Sequence, residues 1–166
     1  MSPRGRVLAW LATASVMGAA AWLLAVATVK LSDLAVFEGV LVRQGLVPRW
    51  AAPVVATGVA IGECIAGACA LVCVLCGRVR QGAAIMTGVF VLLACYAAVL
   101  TIRPPATPTP CGCGVSGRPV ERWWPIAARN AGIAMLFGGF AVLCTYRVAG
   151  GRDQECLARQ GVARAG

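Results

Sequence analysis

Four apolar stretches constrain this chain more than any other feature. Residues 7–29 run without a charge, residues 51–76 carry only Glu63, residues 82–102 carry none, and residues 126–146 hold Arg129 and Asn130 in their first turn. Each approaches or exceeds the ~20 residues that a helix rising 1.5 Å per residue needs to cross the hydrocarbon of a bilayer. Composition agrees, since 60% of the 166 residues are hydrophobic and 13% are charged. That balance excludes a soluble globular domain. The net charge of +9 raises the question of nucleic acid. However, the lysines and arginines stand at the ends of apolar runs, as membrane flanks do, and not on one polar face. The expected partner is therefore a lipid bilayer and not nucleic acid. The expected fold is an all-α membrane protein with four transmembrane helices and a short interfacial amphipathic helix after the first.

Taken in order, residues 1–6 form a basic N-terminus with Arg4 and Arg6. A secretory signal competes for the first apolar run, because Ala25-Val26-Ala27 resembles a cleavage site. The 23 residues of 7–29 exceed the ~7–15 of a signal core, so a retained helix is expected, ended at the interface by Lys30. Between residues 31 and 50 the pattern changes. Leu34, Phe37 and Leu41 recur at helical spacing, with Asp33, Glu38 and Arg43 off that stripe. Ser32 and Asp33 are good N-cap types, and Gly45 and Pro48 close the segment. An amphipathic helix lying in the headgroup region fits this pattern, with a polar loop as the alternative.

In the second crossing, Gly58, Gly62 and Ala66 make a small-xxx-small row, expected to be a helix-packing seam. Arg78 and Arg80 mark a tight turn before the third crossing. The loop of residues 103–125 ends in Trp123-Trp124, expected to anchor at the interface. The tail, residues 147–166, is polar and basic, and is expected to be poorly ordered. Basic residues are nearly balanced between the two sides. Arg4, Arg6, Arg78 and Arg80 sit in very short segments, where the positive-inside bias acts most strongly. They place both termini in the cytoplasm of a multi-pass inner (cell) membrane protein, with the 103–125 loop extracytoplasmic.

That loop carries the chemistry-bearing motif, Pro110-Cys111-Gly112-Cys113-Gly114. Glycines beside and between the cysteines remove the Cβ clashes of a tight ring, and Pro104, Pro105, Pro108 and Pro110 hold the approach extended. As a redox pair, Cys111 and Cys113 would alternate between a dithiol and a short-ring disulfide, with Arg118 and Arg122 favouring the thiolate. As a metal site, two thiolates suit Cu(I) better than Zn²⁺. Separate disulfides to other partners, or an inert turn, are the remaining alternatives. A quinone is a chemically reasonable electron acceptor for a membrane thiol oxidase, but no residue pattern specifies a pocket for one. Histidine is absent, and nine cysteines leave at least one without an intrachain partner.

Glu63 stands out because a carboxylate near mid-bilayer costs ~2.5–3.5 kcal/mol on insertion scales and needs a partner or a proton. Lys30 and Arg129 both lie toward the same end. Arg129, already inside its helix, is the expected partner, with Asn130 beside it. The pair would clamp two helices or relay protons for thiol chemistry. Cys69, Cys73 and Cys76 share one helical face, and Cys73-Val-Leu-Cys76 is formally CxxC, yet buried packing is the expected role there, as for Cys95, Cys144 and Cys156.

Lys30-Leu31 followed by Phe37, Glu63 with Gly67, Cys111-Gly112-Cys113-Gly114 before two tryptophans, and Arg129-Asn130 together resemble the MauE branch of the DoxX-like membrane proteins. The likeness runs from about residue 21 to residue 141. It implies a four-helix membrane fold and an accessory role in methylamine utilisation. That role is the processing, export or disulfide maturation of the disulfide-rich small subunit of methylamine dehydrogenase, an extracytoplasmic client. Carried onto this sequence, the resemblance implies Cys111 and Cys113 as the thiol pair and Lys30, Glu63, Arg129 and Asn130 as framework polar residues.

Overall fold

The computed structural model describes the backbone of residues 3–111 and 119–163, and the side chains of residues 6–111 and 119–143. Five helices account for most of it: α1 (Pro3–Ser32), α2 (Leu34–Gln44), α3 (Ala52–Leu75), α4 (Val79–Ile102) and α5 (Trp124–Ala163). A two-residue antiparallel pair, β1 (Thr109–Pro110) and β2 (Pro119–Val120), stands in the loop before α5. Among the described residues, four segments are long and apolar enough to cross a membrane: Arg6–Ser32, Ala52–Leu75, Val79–Ile102 and Trp124–Leu143. The all-α, four-span expectation holds. The α5 backbone continues as helix through the basic tail to Ala163. No proline follows Pro125 to stop it.

The four spans alternate in direction, so the α3–α4 turn shares one end with the start of α1 and the end of the fourth span. The α1–α2 junction, the β pair and the start of α5 share the other. The α3–α4 turn is made by Gly77, whose φ of 73° lies in the left-handed region. The Gly77 amide donates to the Val74 carbonyl and the Arg78 amide to that of Cys73, which satisfies carbonyls that the helix end would leave unpaired. The central core is built by all four spans. Val16, Ala20 and Leu23 of α1 meet Ala70 and Val74 of α3, Met86 and Phe90 of α4, and Phe137 of α5. Trp22, Phe90 and Phe137 form an aromatic row, with centroids 6.3 and 5.9 Å apart along it.

α2 forms where the amphipathic pattern put it, with Phe37, Val40, Leu41 and Gln44 buried. The Asp33 carboxylate accepts from the Val36 amide at 3.2 Å, and Gly45 closes the helix at φ 72°. Only Asp33 separates α1 from α2, and the two run along α3 in one antiparallel register. Lys30 meets Glu63, and seven residues further on Phe37 and Leu41 pack with Ala56. α2 thus covers the first two turns of α3 as a continuation of α1.

The seam between α1 and α3 is not the Gly58–Gly62–Ala66 row. Among the described residues, a Cβ at Gly58 or Gly62 would meet nothing within 4 Å. The buried stripe of α3 is Ala52, Ala56, Ala60, Glu63, Gly67, Ala70 and Val74, a heptad-like run of mostly small residues. Gly67 is its tightest point: a Cβ there would lie 2.9 Å from Leu24 Cγ and 3.2 Å from the Ala20 carbonyl oxygen. Close approach therefore falls one helical face away from the GxxxG motif. Of the tryptophan pair, Trp124 is exposed as an interfacial anchor requires, but Trp123 is buried at the start of α5.

Candidate functional site

Glu63 sits eleven residues beyond the start of α3, roughly 16 Å along the axis. Its partner is Lys30, not Arg129. Lys30 Nζ donates to both carboxylate oxygens, at 2.6 and 2.7 Å, and both side chains are less than 10% exposed. The ammonium also lies 4.8 Å from the centroid of the Phe37 ring, on which it makes a cation–π contact. Helix adjacency decided the pairing. α1 packs closely along α3, whereas α5 packs mainly on α4. Arg129 is exposed and donates weakly, at 3.5 Å, to the side-chain oxygen of Asn130. Lys30 therefore does not stop at the interface. It reaches into the bundle, where two short charge-assisted hydrogen bonds and a cation–π contact offset its desolvation.

Above this pair lies a cavity of about 400 Å³ between α3 and α4. Gly62, Glu63 and Ala66 of α3 and Val89, Leu93 and Tyr96 of α4 line its length, and α2 closes one side with Phe37 and Leu41. From Val89 to Tyr96 it extends about 10 Å along α4 at the helical rise. Cys111 lines its loop end, so one cavity joins a loop sulfur to the buried ion pair. Val59 and Leu92, which also line it, are exposed on the helix surface that a four-span bundle turns to lipid.

The approach to Cys111 is fixed by residues that sequence reasoning passed over. Gln44, buried in the last turn of α2, donates through Nε2 to the Pro110 carbonyl at 3.0 Å. The Tyr96 hydroxyl donates to Gln44 Oε1. These bonds tie the ends of α2 and α4 to β1, whose pairing of Thr109 with Val120 and Pro110 with Pro119 closes the loop. A glutamine ending the apolar stripe of α2, and a lone tyrosine in an otherwise apolar span, are the only local signals of this arrangement. Cys111 is half-buried. Cys113 and Arg118 lie outside the described residues, as do the side chains of Cys144 and Cys156. Arg122 is exposed beyond β2.

Asn130 is buried with its Nδ2 unbonded among the described residues, as is Thr109 Oγ1. Cys69, Cys73 and Cys76 stand toward the opposite end of α3 from the loop, with Cys69 and Cys76 exposed instead of packed. The Cys73 thiol faces Gln81 Oε1 at 3.9 Å. Among the described residues, no three of the Cys, Asp and Glu side chains come together to hold a metal.

No curated protein and no solved structure is significantly similar to the chain. The model of one family, described as methylamine utilisation protein MauE, matches residues 8–146, which include all four spans, the ion pair and the cysteine loop. With most of its length covered by that match, this multi-pass membrane protein belongs to the MauE family.

Proposed function

We propose that the chain is a membrane thiol–disulfide exchanger in which Cys111 and Cys113 act on an extracytoplasmic client. The observation that carries this reading is the setting of Cys111. It follows a tethered two-residue strand at one end of the bundle and borders a cavity that runs to a buried ion pair. A strand end held by Gln44 gives a thiol a defined position, and glycines on either side of the second cysteine leave the ring free to close or open. In the exchange, a client thiolate attacks the loop disulfide to form a mixed disulfide. The second client thiol then displaces the loop sulfur, so the client is oxidised by two electrons as the loop becomes a dithiol.

The basic residues of the short N-terminus and of the Arg78–Arg80 turn support cytoplasmic termini and an extracytoplasmic loop. Membership of a methylamine utilisation family supports, as client, the disulfide-rich small subunit of methylamine dehydrogenase. Lys30 and Glu63 hold α1 to α3 beneath the loop.

The test is trapping. Cys113→Ser should accumulate a mixed disulfide between Cys111 and the client, and Cys111→Ser should abolish it. If neither substitution changes client oxidation, thiol exchange is wrong. Stoichiometric copper lost on either substitution would assign the pair to Cu(I) instead. Labelling of both cysteines only from the cytosolic side would invert the topology.

A further inference from the structure

The geometry points to the α3–α4 cavity as the binding site of a lipid-soluble quinone that reoxidises the loop thiols. This rests on the thiol reading above and supplies its missing electron acceptor. Three observations carry it. The cavity is about 400 Å³, within the range of small-molecule sites and enough for a substituted ring. Its polarity is divided: Lys30, Glu63, Tyr96 and Cys111 stand on its walls, while Val59, Val89, Leu92 and Leu93 line the rest. Two of its lining residues, Val59 and Leu92, are also exposed on the outer surface that a four-span bundle turns to lipid. A ligand matching all three has a polar, redox-active head, an apolar tail, and access from the bilayer instead of from water. A plain acyl chain would use none of the four polar side chains on the walls, and a water-soluble oxidant would gain nothing from the apolar remainder.

The reaction balances with no further reagent. The Cys111 and Cys113 thiols lose two electrons and two protons as the S–S bond forms. The quinone takes up both electrons and both protons as its two carbonyls become hydroxyls. The Lys30 ammonium, paired with Glu63, and the Tyr96 hydroxyl, bonded to Gln44, stand on the cavity wall, so the quinone head meets polar groups already held in place.

The test uses the full chain in lipid nanodiscs with a photoreactive azidoquinone and with decylubiquinone as competitor. Gly62 is the perturbation of choice, since it lines the cavity and a Cβ there meets nothing within 4 Å. Gly62→Leu therefore starts its side chain from open space and adds bulk to the cavity wall. Gly58→Leu, one turn away, equally open but outside the cavity lining, is the control. The expected result is saturable labelling near Gly62 and Leu92, competed by decylubiquinone, unchanged in Gly58→Leu and in Cys111→Ser, and reduced at least tenfold in Gly62→Leu. Reduced wild type given decylubiquinone should form one hydroquinone per loop disulfide.

Unsaturable labelling, or labelling indifferent to Gly62→Leu, means that lipid chains alone fill the cavity and overturns the proposal. Thiols that persist under quinone but are oxidised by a disulfide-bonded client also overturn it, leaving thiol exchange intact. Thiols inert to both oxidants overturn the two readings together.

Discussion

The Lys30–Glu63 pair makes the sharpest quantitative prediction. The ammonium donates to both carboxylate oxygens at 2.6 and 2.7 Å, and neither side chain is more than 9% exposed. Removing one partner of such a pair strands the other in a place without water, at a cost of ~3–5 kcal/mol. Lys30→Met and Glu63→Leu should each therefore lower stability by that amount. At the middle of the range this is about a thousandfold in the folded-to-unfolded ratio.

Replacing both partners removes the buried charge together with its attraction, so Lys30→Met/Glu63→Leu should fall within ~1 kcal/mol of wild type. Arg129→Met should change stability by less than ~0.5 kcal/mol, because its side chain is exposed and, among the described residues, bonds weakly to Asn130. The assay is reversible unfolding in mixed micelles titrated with dodecyl sulfate, followed by tryptophan fluorescence. A double substitution costing the sum of its singles would show that the two groups share no interaction. A large loss in Arg129→Met would return Glu63 to the partner that its sequence position first suggested.

Four further substitutions probe the surroundings. Gly67→Ala drives a Cβ to 2.9 Å from Leu24 Cγ and should lower the melting temperature through a loss of ~1–3 kcal/mol, whereas Gly58→Ala, in open space, should be neutral or gain up to ~1 kcal/mol of helix propensity. Gln44→Leu deletes the bond to the Pro110 carbonyl and the acceptor of the Tyr96 hydroxyl. It should cost ~1–3 kcal/mol and speed alkylation of Cys111, as timed by mass spectrometry. Gly45→Ala places a Cβ on a residue at φ 72° and should cost ~1–2 kcal/mol, read from the same unfolding titration, without altering Cys111 reactivity.

Much of the framework is legible along the chain because it depends on local chemistry. Residues 7–29, 51–76, 82–102 and 126–146 are each too apolar for water, and each spans a bilayer as a helix whatever its neighbours do. The buried face of α2, its Asp33 cap and its Gly45 stop likewise follow from spacing within one turn. What the chain does not declare is which faces meet. Arg129 is the partner that sequence position favours for Glu63, and Lys30 takes its place only because α1, and not α5, lies against α3.

The same holds for the glycines. Gly58 and Gly62 carry the familiar spacing, yet Gly67 makes the close contact, because the seam is chosen by the rotation of α3 against α1. Trp123 and Trp124 are chemically identical and adjacent, and only packing separates the buried ring from the exposed one. The α3–α4 cavity has no sequence signature, since a void between helices is a property of both surfaces and of neither alone. Periodicity records what a residue prefers to face. Tertiary structure decides what it faces, because in an apolar solvent every helix face is acceptable until shape and the few buried polar groups select among them.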